Sequence, residues 1–312
     1  MDIIGELFSI CNNNYMVNNI LIENGLEIRE TVNGVEVESR QKSADKSLHS
    51  LFHGGFLNLN FNSEEEDAVR SKTINFIVPL GEKTSLLVVL YQHKSEIEQL
   101  KYKYRTASIE VLPISGDFSR ARALDLGVSK LQADDLMLFI DVDIVFTSSA
   151  LNRIRLNTLP GRIMYFPIVF SQYDPKIVYG EAGKQDKFTI NEISGHWRQY
   201  GFGIVSLYKR DYRAVGGLNL SIQGWGKEDV EFFEKAVKSD LDVFRAADRH
   251  LVHVYHEVEC NRELSSLQLS MCIGSKTDTY AGVETLADMI YANPNILRFA
   301  KERRQKRTNP AG

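Results

Sequence analysis

Cysteine is scarce in this chain, and its scarcity limits the structural classes to which the sequence can belong. Three cysteines among 312 residues are too few for the disulfide framework of a small secreted domain. Cys260 and Cys272 flank one short segment and could pair in an oxidising compartment, but as unrelated thiols they would fit the cytosol equally well. The cysteine content therefore leaves the compartment open.

Long apolar runs are also lacking. No stretch approaches the ~18 to 20 apolar residues that a membrane helix needs. The first residues, MDIIGELFSICNNNYMV, carry neither the basic region nor the cleavage-site pattern of a signal peptide. Taken alone, the chain is expected to be soluble.

Neither sign of charge dominates the sequence. Its 37 basic and 41 acidic residues give a net charge of −4, which provides no reason to expect nucleic acid or an anionic membrane surface as a partner. The basic run KERRQKR at 301–307 is local and is predicted to be a solvated helix end. With 43% hydrophobic residues, the chain can bury a sizeable core.

Composition divides the chain into three parts. Residues 1–72 are rich in Asn, Glu and Ser and have weak periodicity, which predicts a loosely structured N-terminal extension. Residues 73–295 contain the periodic apolar patterns of one folded domain. Residues 296–312 form a basic C-terminal tail.

Strand and helix patterns alternate from Thr73 onwards. Residues 94–104 and the segment FSRARALDLGVSKL have helical spacing, and the β-branched runs between them have the character of buried parallel strands. The predicted strands of this half are TINFIVPL, TSLLVVLY, SIEVLPI and DLMLFIDVDIVF. Such a sheet binds ligands at the carboxyl ends of its strands. No G-x-G-x-x-G follows the two early strands, which disfavours a nucleotide-binding oxidoreductase.

The second half interleaves strands and helices less regularly. Its predicted strands are GRIMYFPIVF, YGFGIVSLYK, LDVFRA and LVHVYH. A helix begins within GWGKEDVEFF, and Val230, Phe233 and Val237 are spaced three and four apart on its predicted inner face. The fold class predicted for the whole domain is α/β, with a mixed, mostly parallel sheet flanked by helices.

Two aspartates, in Asp141-Val142-Asp143, end the strongest predicted strand. Alternate residues of a strand share a face, so both carboxylates could point the same way and would then need a cation or hydrogen-bond donors between them. Carboxylate oxygens suit Mg²⁺ or Mn²⁺. The alternative is a strand end whose acids cap a helix or pair with Arg or Lys.

Two histidines and one arginine add to this chemistry. His253 and His256 lie within four residues at the end of a β-type run, and imidazole beside carboxylate would favour Mn²⁺ over Mg²⁺; the alternative is a pair of core histidines. Arg120 stands at a predicted helix start, where a guanidinium and free N–H groups could hold a diphosphate. Its alternative is an exposed helical arginine.

The segment GWGKEDVEFF places Trp225 between Gly224 and Gly226, just ahead of Glu228 and Asp229. The start of a helix keeps carboxylates ionised, and an ionised carboxylate facing a sugar hydroxyl can act as a general base. An indole offers a flat apolar face to a pyranose. A structural turn and helix start is the alternative, but together these features supply a metal site, a diphosphate clamp, a base and a sugar platform.

The same residues carry a resemblance to a known family. Seven segments occur in order: FSRARALDLG, DVDIVFT, YFPIVFSQYDPKIVYG, WRQYGFGIVSLYKRD, GGLNLSIQGWGKEDVEFF, HVYHEVEC and QLSMCIGSK. Over about residues 73 to 290 they resemble the C-terminal transferase domain of chondroitin synthases and the chondroitin N-acetylgalactosaminyltransferases. They are more distantly similar to the β-1,4-galactosyltransferases.

The resemblance implies a GT-A glycosyltransferase fold for residues 73–295, a UDP-sugar donor, Mn²⁺ and inversion at the anomeric carbon. Asp143, His253 and His256 would be the metal ligands. Asp229 would be the catalytic base beside Glu228, and Trp225, Gly224 and Glu228 would bind the acceptor. The donor site would comprise Pro79, Phe118, Arg120, Asp141, Val142 and Asp143.

The activity implied is transfer of GalNAc from UDP-GalNAc to glucuronic acid of a chondroitin oligosaccharide. Alternatives are a non-catalytic subunit that stabilises an active chondroitin synthase, or the same fold with a different UDP-sugar donor. The resemblance also implies the Golgi lumen, where family members are type II membrane proteins and where Cys260 and Cys272 would meet an oxidising environment. Another chondroitin synthase subunit is a candidate partner.

One departure separates this sequence from its relatives, which carry a basic motif and an aromatic-rich helix after the first strand. Here FIVPLGEKTSLLVVLY runs from Pro79 to Ser85 almost directly. Residues 80–84 are too few for a crossover helix, because a parallel connection needs about a dozen residues. Either the first two strands rearrange, or part of the uridine-binding wall is lost.

Overall fold

A computed structural model of the chain describes residues 68–69, 71–79, 88–90, 110, 112–114, 119–180, 186–222, 226–262, 264–293, 295 and 298. Nearly all of the predicted extension at 1–72 and of the basic tail at 296–312 lies outside these residues, as does the predicted helix at 94–104. Those three features remain predictions.

The first half of the sheet is parallel, as predicted. Strand β1 (Ile74–Pro79) lies between β2 (Val88–Leu90) and β4 (Leu136–Phe139), and β3 (Leu112–Pro113) lies beyond β2. All three neighbouring pairs are parallel. The carboxyl ends of β1 and β4 therefore meet at one edge, where the backbone N–H of Ile140 donates to the carbonyl of Ile77.

Of the two alternatives for the short connection, a rearrangement of the first two strands is not found. Val78 pairs with Val88 in parallel register, although only residues 80–87, which are outside the described part of the chain, connect the strands. Strand β2 begins four residues later than the run TSLLVVLY suggests, and its late start lengthens the connection. The parallel order survives without the dozen connecting residues that were considered necessary.

The second half makes the sheet mixed. Beyond β4 lie β8 (Val205–Tyr208), β6 (Ile163–Gln172), β9 (Asp242–His253) and β5 (Ile144–Phe146), and β7 (Gly195–Trp197) also pairs with β6. Strands β6 and β9 are parallel, and the other pairs of this half are antiparallel. A mixed sheet with one parallel half is thus confirmed.

Two predicted strand boundaries are wrong. The run DLMLFIDVDIVF forms two strands. Strand β4 ends at Phe139 inside the sheet, and β5 begins at Ile144 as the edge strand farthest from β3. Conversely, LDVFRA and LVHVYH belong to the single strand β9. The polar residues between them suggest a turn, but Asp248 is fully buried and forms an ion pair with Arg153 at 3.3 Å, so the strand continues through them.

Helices cover both faces of the sheet. On one face α2 (Ser148–Asn157) packs with core residues such as Phe146 and Tyr165. On the other, α1 (Arg120–Ser129), α4 (Lys209–Ala214) and α5 (Glu228–Lys238) pack around Phe139 and Phe166. The remaining helices are α3 (Pro175–Tyr179), α6 (Ser266–Asp278) and α7 (Val283–Ala292).

Helix α1 approaches β1 closely because residue 127 is glycine. A Cβ at Gly127 would lie 2.5 Å from Cγ2 of Ile77, a distance that packed atoms do not tolerate. The helix begins after Ser119, whose Oγ accepts the backbone N–H of Arg122. The close packing and the cap place Arg120 at the carboxyl edge of β1 and β4.

The inner face of α5 is rotated from the predicted one. Phe232, Phe233 and Ala236 are buried in the core, and Val237 packs against them, as the spacing suggested. Val230 is only half-buried, which corrects its assignment to the inner face. Because Phe232 replaces Val230 on that face, the first turn of α5 presents Glu228 inward as well.

A disulfide between Cys260 and Cys272 ties the segment after β9 to helix α6, with the two Cα atoms 5.8 Å apart. The sequence left this pairing open. Within the part of the chain that the structure describes, no helix combines the length and apolarity required to cross a bilayer.

Replacing both Cys260 and Cys272 with serine should lower the free energy of unfolding by roughly 2 to 3 kcal/mol, because the unfolded chain is released from a short closed loop. Urea denaturation would measure the loss. Dithiothreitol should destabilise the wild type to a similar extent and leave the double variant unchanged. Equal stability of the two proteins without reductant would contradict the assignment.

Candidate active site

Asp143, His253 and His256 converge at the end of the sheet. Asp143 lies in the turn between β4 and β5, His253 is the last residue of β9, and His256 follows in the next segment. The Oδ2 atom of Asp143 lies 3.3 Å from Nε2 of His253 and 3.0 Å from Nε2 of His256. One ligand atom from each residue lies within 4.8 Å of the others, so the predicted metal-ligand set is brought together.

Hydrogen bonds on the far sides of the rings orient the two imidazoles. The β6–β9 register places Ser171 opposite His253, and the Ser171 Oγ lies 3.2 Å from the His253 Nδ1. The Nδ1 of His256 lies 3.1 Å from the carbonyl oxygen of Glu257. Both Nε2 atoms are therefore directed toward Asp143, the arrangement that ligating histidines commonly have.

The electrostatics of this cluster suit a cation. Burial raises the pKa of Asp143, but the charge and hydrogen bonds of His253 and His256 outweigh it and hold the pKa well below its usual range. The hydrogen bond to Asp143 raises the pKa of His256 despite its partial burial. The Oδ1 atom of Asp143 is buried without a hydrogen-bond partner among the described residues. One carboxylate with a free oxygen and two oriented imidazoles fit a Mn²⁺ ion.

Asp141 and Asp143 do not act as one pair, which corrects the expectation that they share a strand face. The chain leaves β4 at Ile140, so the two acids lie in a turn and their side chains meet different partners. Asp141 accepts a hydrogen bond from Nε of Arg120 at 3.0 Å, whereas Asp143 faces the histidines. Val142, between them, packs against the core.

Arg120 is buried rather than exposed, with 7% of its surface accessible. Besides its bond to Asp141, its Nη2 donates to the carbonyl of Gly203 at 2.9 Å, and its Nη1 lies 3.6 Å from Oε1 of Glu228. Burial alone would lower the pKa of Arg120, but Asp141 and Glu228 raise it. One guanidinium therefore joins helix α1, the segment before β8, helix α5 and the turn at Asp141–Asp143, which is called the aspartate turn below.

The acids of α5 have different surroundings. Glu228 is 3% exposed, and its Oε2 is buried with no hydrogen-bond partner among the described residues. Burial raises the pKa of Glu228, and Arg120 opposes that shift. Asp229 is half-buried, and its Oδ1 accepts the backbone N–H of Val230. Positive φ angles at Gly226 (86°) and Lys227 (83°) turn the chain sharply into this helix.

Part of the predicted site cannot be placed. Phe118, Gly224 and Trp225 lie outside the described residues. The backbone of Pro79 ends β1 beside the aspartate turn, and nothing further is described of its side chain. Their assignment to the donor and acceptor sites remains a prediction.

Sequence reasoning missed Ser171 and Arg198. Ser171 is fully buried near the end of strand β6, and Arg198 follows β7 and donates from Nη2 to the Ser171 Oγ at 3.3 Å. A serine directly after the apolar run of β6 was the available signal for Ser171. Only the β6–β9 register showed that it contacts a histidine.

The family model of chondroitin N-acetylgalactosaminyltransferases matches residues 75–286, which include the aspartate turn, the first turn of α5 and both histidines. The chain belongs to the chondroitin N-acetylgalactosaminyltransferase family. Membership, together with the mixed α/β sheet, supports the predicted GT-A fold class.

Curated relatives in this family carry names from chondroitin synthesis. The chain is 40% identical to human chondroitin sulfate synthase 3 over 199 residues, which cover 64% of this chain and 23% of the relative. It is 36% identical to human chondroitin sulfate N-acetylgalactosaminyltransferase 1 over 232 residues, covering 70% and 43%. The chain thus spans less than half the length of these two relatives.

A solved structure of a mutant Drosophila β1,4-galactosyltransferase 7, in complex with manganese, UDP-Gal and xylobiose, shares 17% identity. It covers 64% of this chain and 79% of that chain at a TM-score of 0.33. So distant a likeness carries no argument about the reaction of this family member.

Replacing Ser171 with alanine should weaken Mn²⁺ binding by about 10- to 100-fold, because His253 loses the partner that orients its ring. Asp143→Asn should abolish binding. Isothermal titration with Mn²⁺ would measure both changes. Ser206→Ala removes another fully buried serine, on the adjacent strand β8, and should bind normally. Wild-type affinity in both Ser171→Ala and Asp143→Asn would refute the metal site.

The effect of Glu228→Gln on the free energy of unfolding should be more favourable at neutral than at acidic pH. The folded protein raises the pKa of Glu228, so the wild type loses stability as pH rises through the interval between the unfolded and folded pKa values. Glutamine carries no such charge. Urea denaturation at roughly pH 4.5 and 7.5 would measure the difference, and Glu234→Gln, on the exposed face of α5, should show none. A pH-independent difference would contradict this account.

Proposed function

We propose that the chain is an inverting hexosyltransferase that moves GalNAc from UDP-GalNAc to a terminal glucuronic acid of chondroitin. The observation that carries the proposal is the convergence of two groups at the carboxyl edge of β1 and β4. The metal-ligand set of Asp143, His253 and His256 lies on one side, and Arg120 links the aspartate turn to the acids of α5 on the other.

The donor would lie over the carboxyl edge of the sheet. Asp143, His253 and His256 would hold Mn²⁺, and the bound ion would stabilise negative charge on the departing diphosphate. Asp141 would contact the uridine and ribose from the same turn. Arg120, whose donors are engaged by the protein, would keep Asp141 in position. The remaining proposed donor contacts are Pro79, Phe118 and Val142.

The acceptor would bind at the first turn of α5. The half-buried carboxylate of Asp229 would take the proton from the glucuronic acid hydroxyl as that oxygen attacks C1 of the donor sugar. The bond between C1 and the diphosphate oxygen breaks in the same displacement, which inverts the anomeric carbon. Glu228 would lie beside Asp229 in the acceptor site, with a buried Oε2 that has no hydrogen-bond partner among the described residues, and Gly224 and Trp225 would form the sugar platform.

The compartment and the protein partner are part of the proposal. The disulfide between Cys260 and Cys272 supports an oxidising lumen, and the Golgi, which the family resemblance implies, is the lumen proposed. A subunit of the chondroitin synthase family is the proposed protein partner.

A second function is a non-catalytic subunit that stabilises an active chondroitin synthase. The observation in its favour is the short connection between β1 and β2, where relatives are expected to carry a longer segment. A transfer assay separates the two functions. Purified chain with Mn²⁺, a panel of UDP-sugars and chondroitin oligosaccharides ending in either sugar should show transfer of GalNAc onto glucuronic acid alone. No transfer with any donor, and no Mn²⁺-dependent binding of UDP-sugar, would favour the subunit.

Asp229→Asn should reduce the transfer rate by about 10² to 10⁴, the usual contribution of a general base. Binding of UDP-GalNAc with Mn²⁺ should persist, because the metal ligands are intact. Steady-state turnover and titration calorimetry would measure the two quantities. Asp240→Asn, which changes an exposed acid beyond the end of α5, serves as the matched control. Near-normal turnover in Asp229→Asn would refute the role of base.

A further inference from the structure

Arg198 is a second guanidinium close to the metal-ligand set. It directly follows β7, and its backbone N–H donates to the carbonyl of Val169 on β6 at 2.9 Å. Toward the described residues its side chain donates one hydrogen bond, from Nη2 to the Ser171 Oγ. Ser171 in turn contacts His253, so one chain of contacts connects Arg198 to the metal site.

The backbone around Arg198 holds its side chain in place. A Cβ at Gly201 would lie 2.7 Å from Cδ and 2.9 Å from Cγ of Arg198, so the arginine stem lies directly over the glycine. A larger residue at position 201 would displace the guanidinium. Glycine at position 201 thus leaves the space that the arginine stem occupies while its guanidinium contacts Ser171.

Arg198 differs from Arg120 in the groups that its guanidinium contacts. Arg120 contacts two carboxylates and one carbonyl, whereas no carboxylate among the described residues lies within ion-pair distance of Arg198. A guanidinium offers five N–H donors, of which Arg198 uses one with a described partner. Burial lowers the pKa of Arg198, and the more distant Asp143 and Asp141 only partly oppose that shift.

A partly buried cation without a counter-ion is costly unless something else satisfies it. An anionic ligand would satisfy it, and a guanidinium matches phosphate oxygens with two parallel hydrogen bonds. The Arg198 guanidinium reaches the metal ligand His253 through Ser171, and no described acid of α5 lies within ion-pair distance of it. The anion is therefore expected on the donor side of the site rather than on the acceptor side.

We propose that Arg198 binds the diphosphate of the nucleotide-sugar donor, beside the metal-ligand set. The inference rests on the proposed function, because it requires a donor with a diphosphate. In this proposal Arg198 contacts the diphosphate, and Arg120 holds the protein segments of the site together.

Binding of UDP and of uridine, both with Mn²⁺, tests the proposal without turnover. Arg198→Gln should lower UDP affinity by about 10- to 100-fold, the usual effect of losing charge-assisted hydrogen bonds, and leave uridine affinity unchanged. Arg198→Lys should restore part of the UDP affinity. Titration calorimetry for UDP and ligand-observed NMR for uridine would supply the values. Arg213→Gln, an exposed arginine on α4, is the matched control and should bind UDP normally.

Three results would overturn the assignment. Unchanged UDP affinity in Arg198→Gln would exclude a contact with the diphosphate. Equal losses of Mn²⁺ and UDP affinity would show that Arg198 acts only through Ser171 and His253. Weaker binding of a glucuronate-terminated chondroitin oligosaccharide, titrated in the same way, with unchanged UDP affinity would place the arginine at the glucuronic acid carboxylate instead. Failure of the wild type to bind UDP at all would instead reject the proposed function itself.

Discussion

The buried guanidinium of Arg120 is the interaction on which the arrangement of this site depends. It contacts Asp141 from the aspartate turn, Gly203 from the segment before β8 and Glu228 from α5. Removing one member of a buried charge cluster typically costs about 3 to 5 kcal/mol, because the remaining charge loses its partner. Three segments far apart in sequence therefore share one electrostatic constraint, and the constraint fixes the turn at Asp141–Asp143 relative to the first turn of α5.

The side chains of Asp141 and Asp143 contact different partners because the backbone turns between them. Asp141 neutralises Arg120 and belongs to the framework, whereas Asp143 faces two imidazoles whose outer nitrogens are already hydrogen-bonded. The two arginines differ in the same way. Arg120 pairs with carboxylates of the protein, whereas Arg198 has no carboxylate partner among the described residues. The ion pair of Arg120 and Asp141 is thus neutralised within the protein.

The chemical inventory of the site could be predicted from the sequence. Asp143, His253 and His256 are ligand types that suit one metal, and β-strand and helix patterns placed the aspartates at the carboxyl end of a strand. These inferences succeed because they depend on local periodicity and on side-chain chemistry. The break after Phe139 and the continuity of β9 could not be predicted, since each depends on pairing with strands far along the chain. Burial of Asp248 against Arg153 is the clearest case, because a polar stretch resembles a turn until its ion partner is known.

The sequence by itself determined the α/β class, the family and the residue types proposed to bind metal and to act as the base. Only the tertiary structure decided which of those residues meet. It separated Asp141 from Asp143, buried Arg120 among its three partners and brought Ser171 and Arg198 behind His253. Local patterns report backbone preference over a few residues, whereas charge pairing across the sheet depends on strand register and helix rotation. Those quantities are properties of the folded chain and have no signature in any single segment.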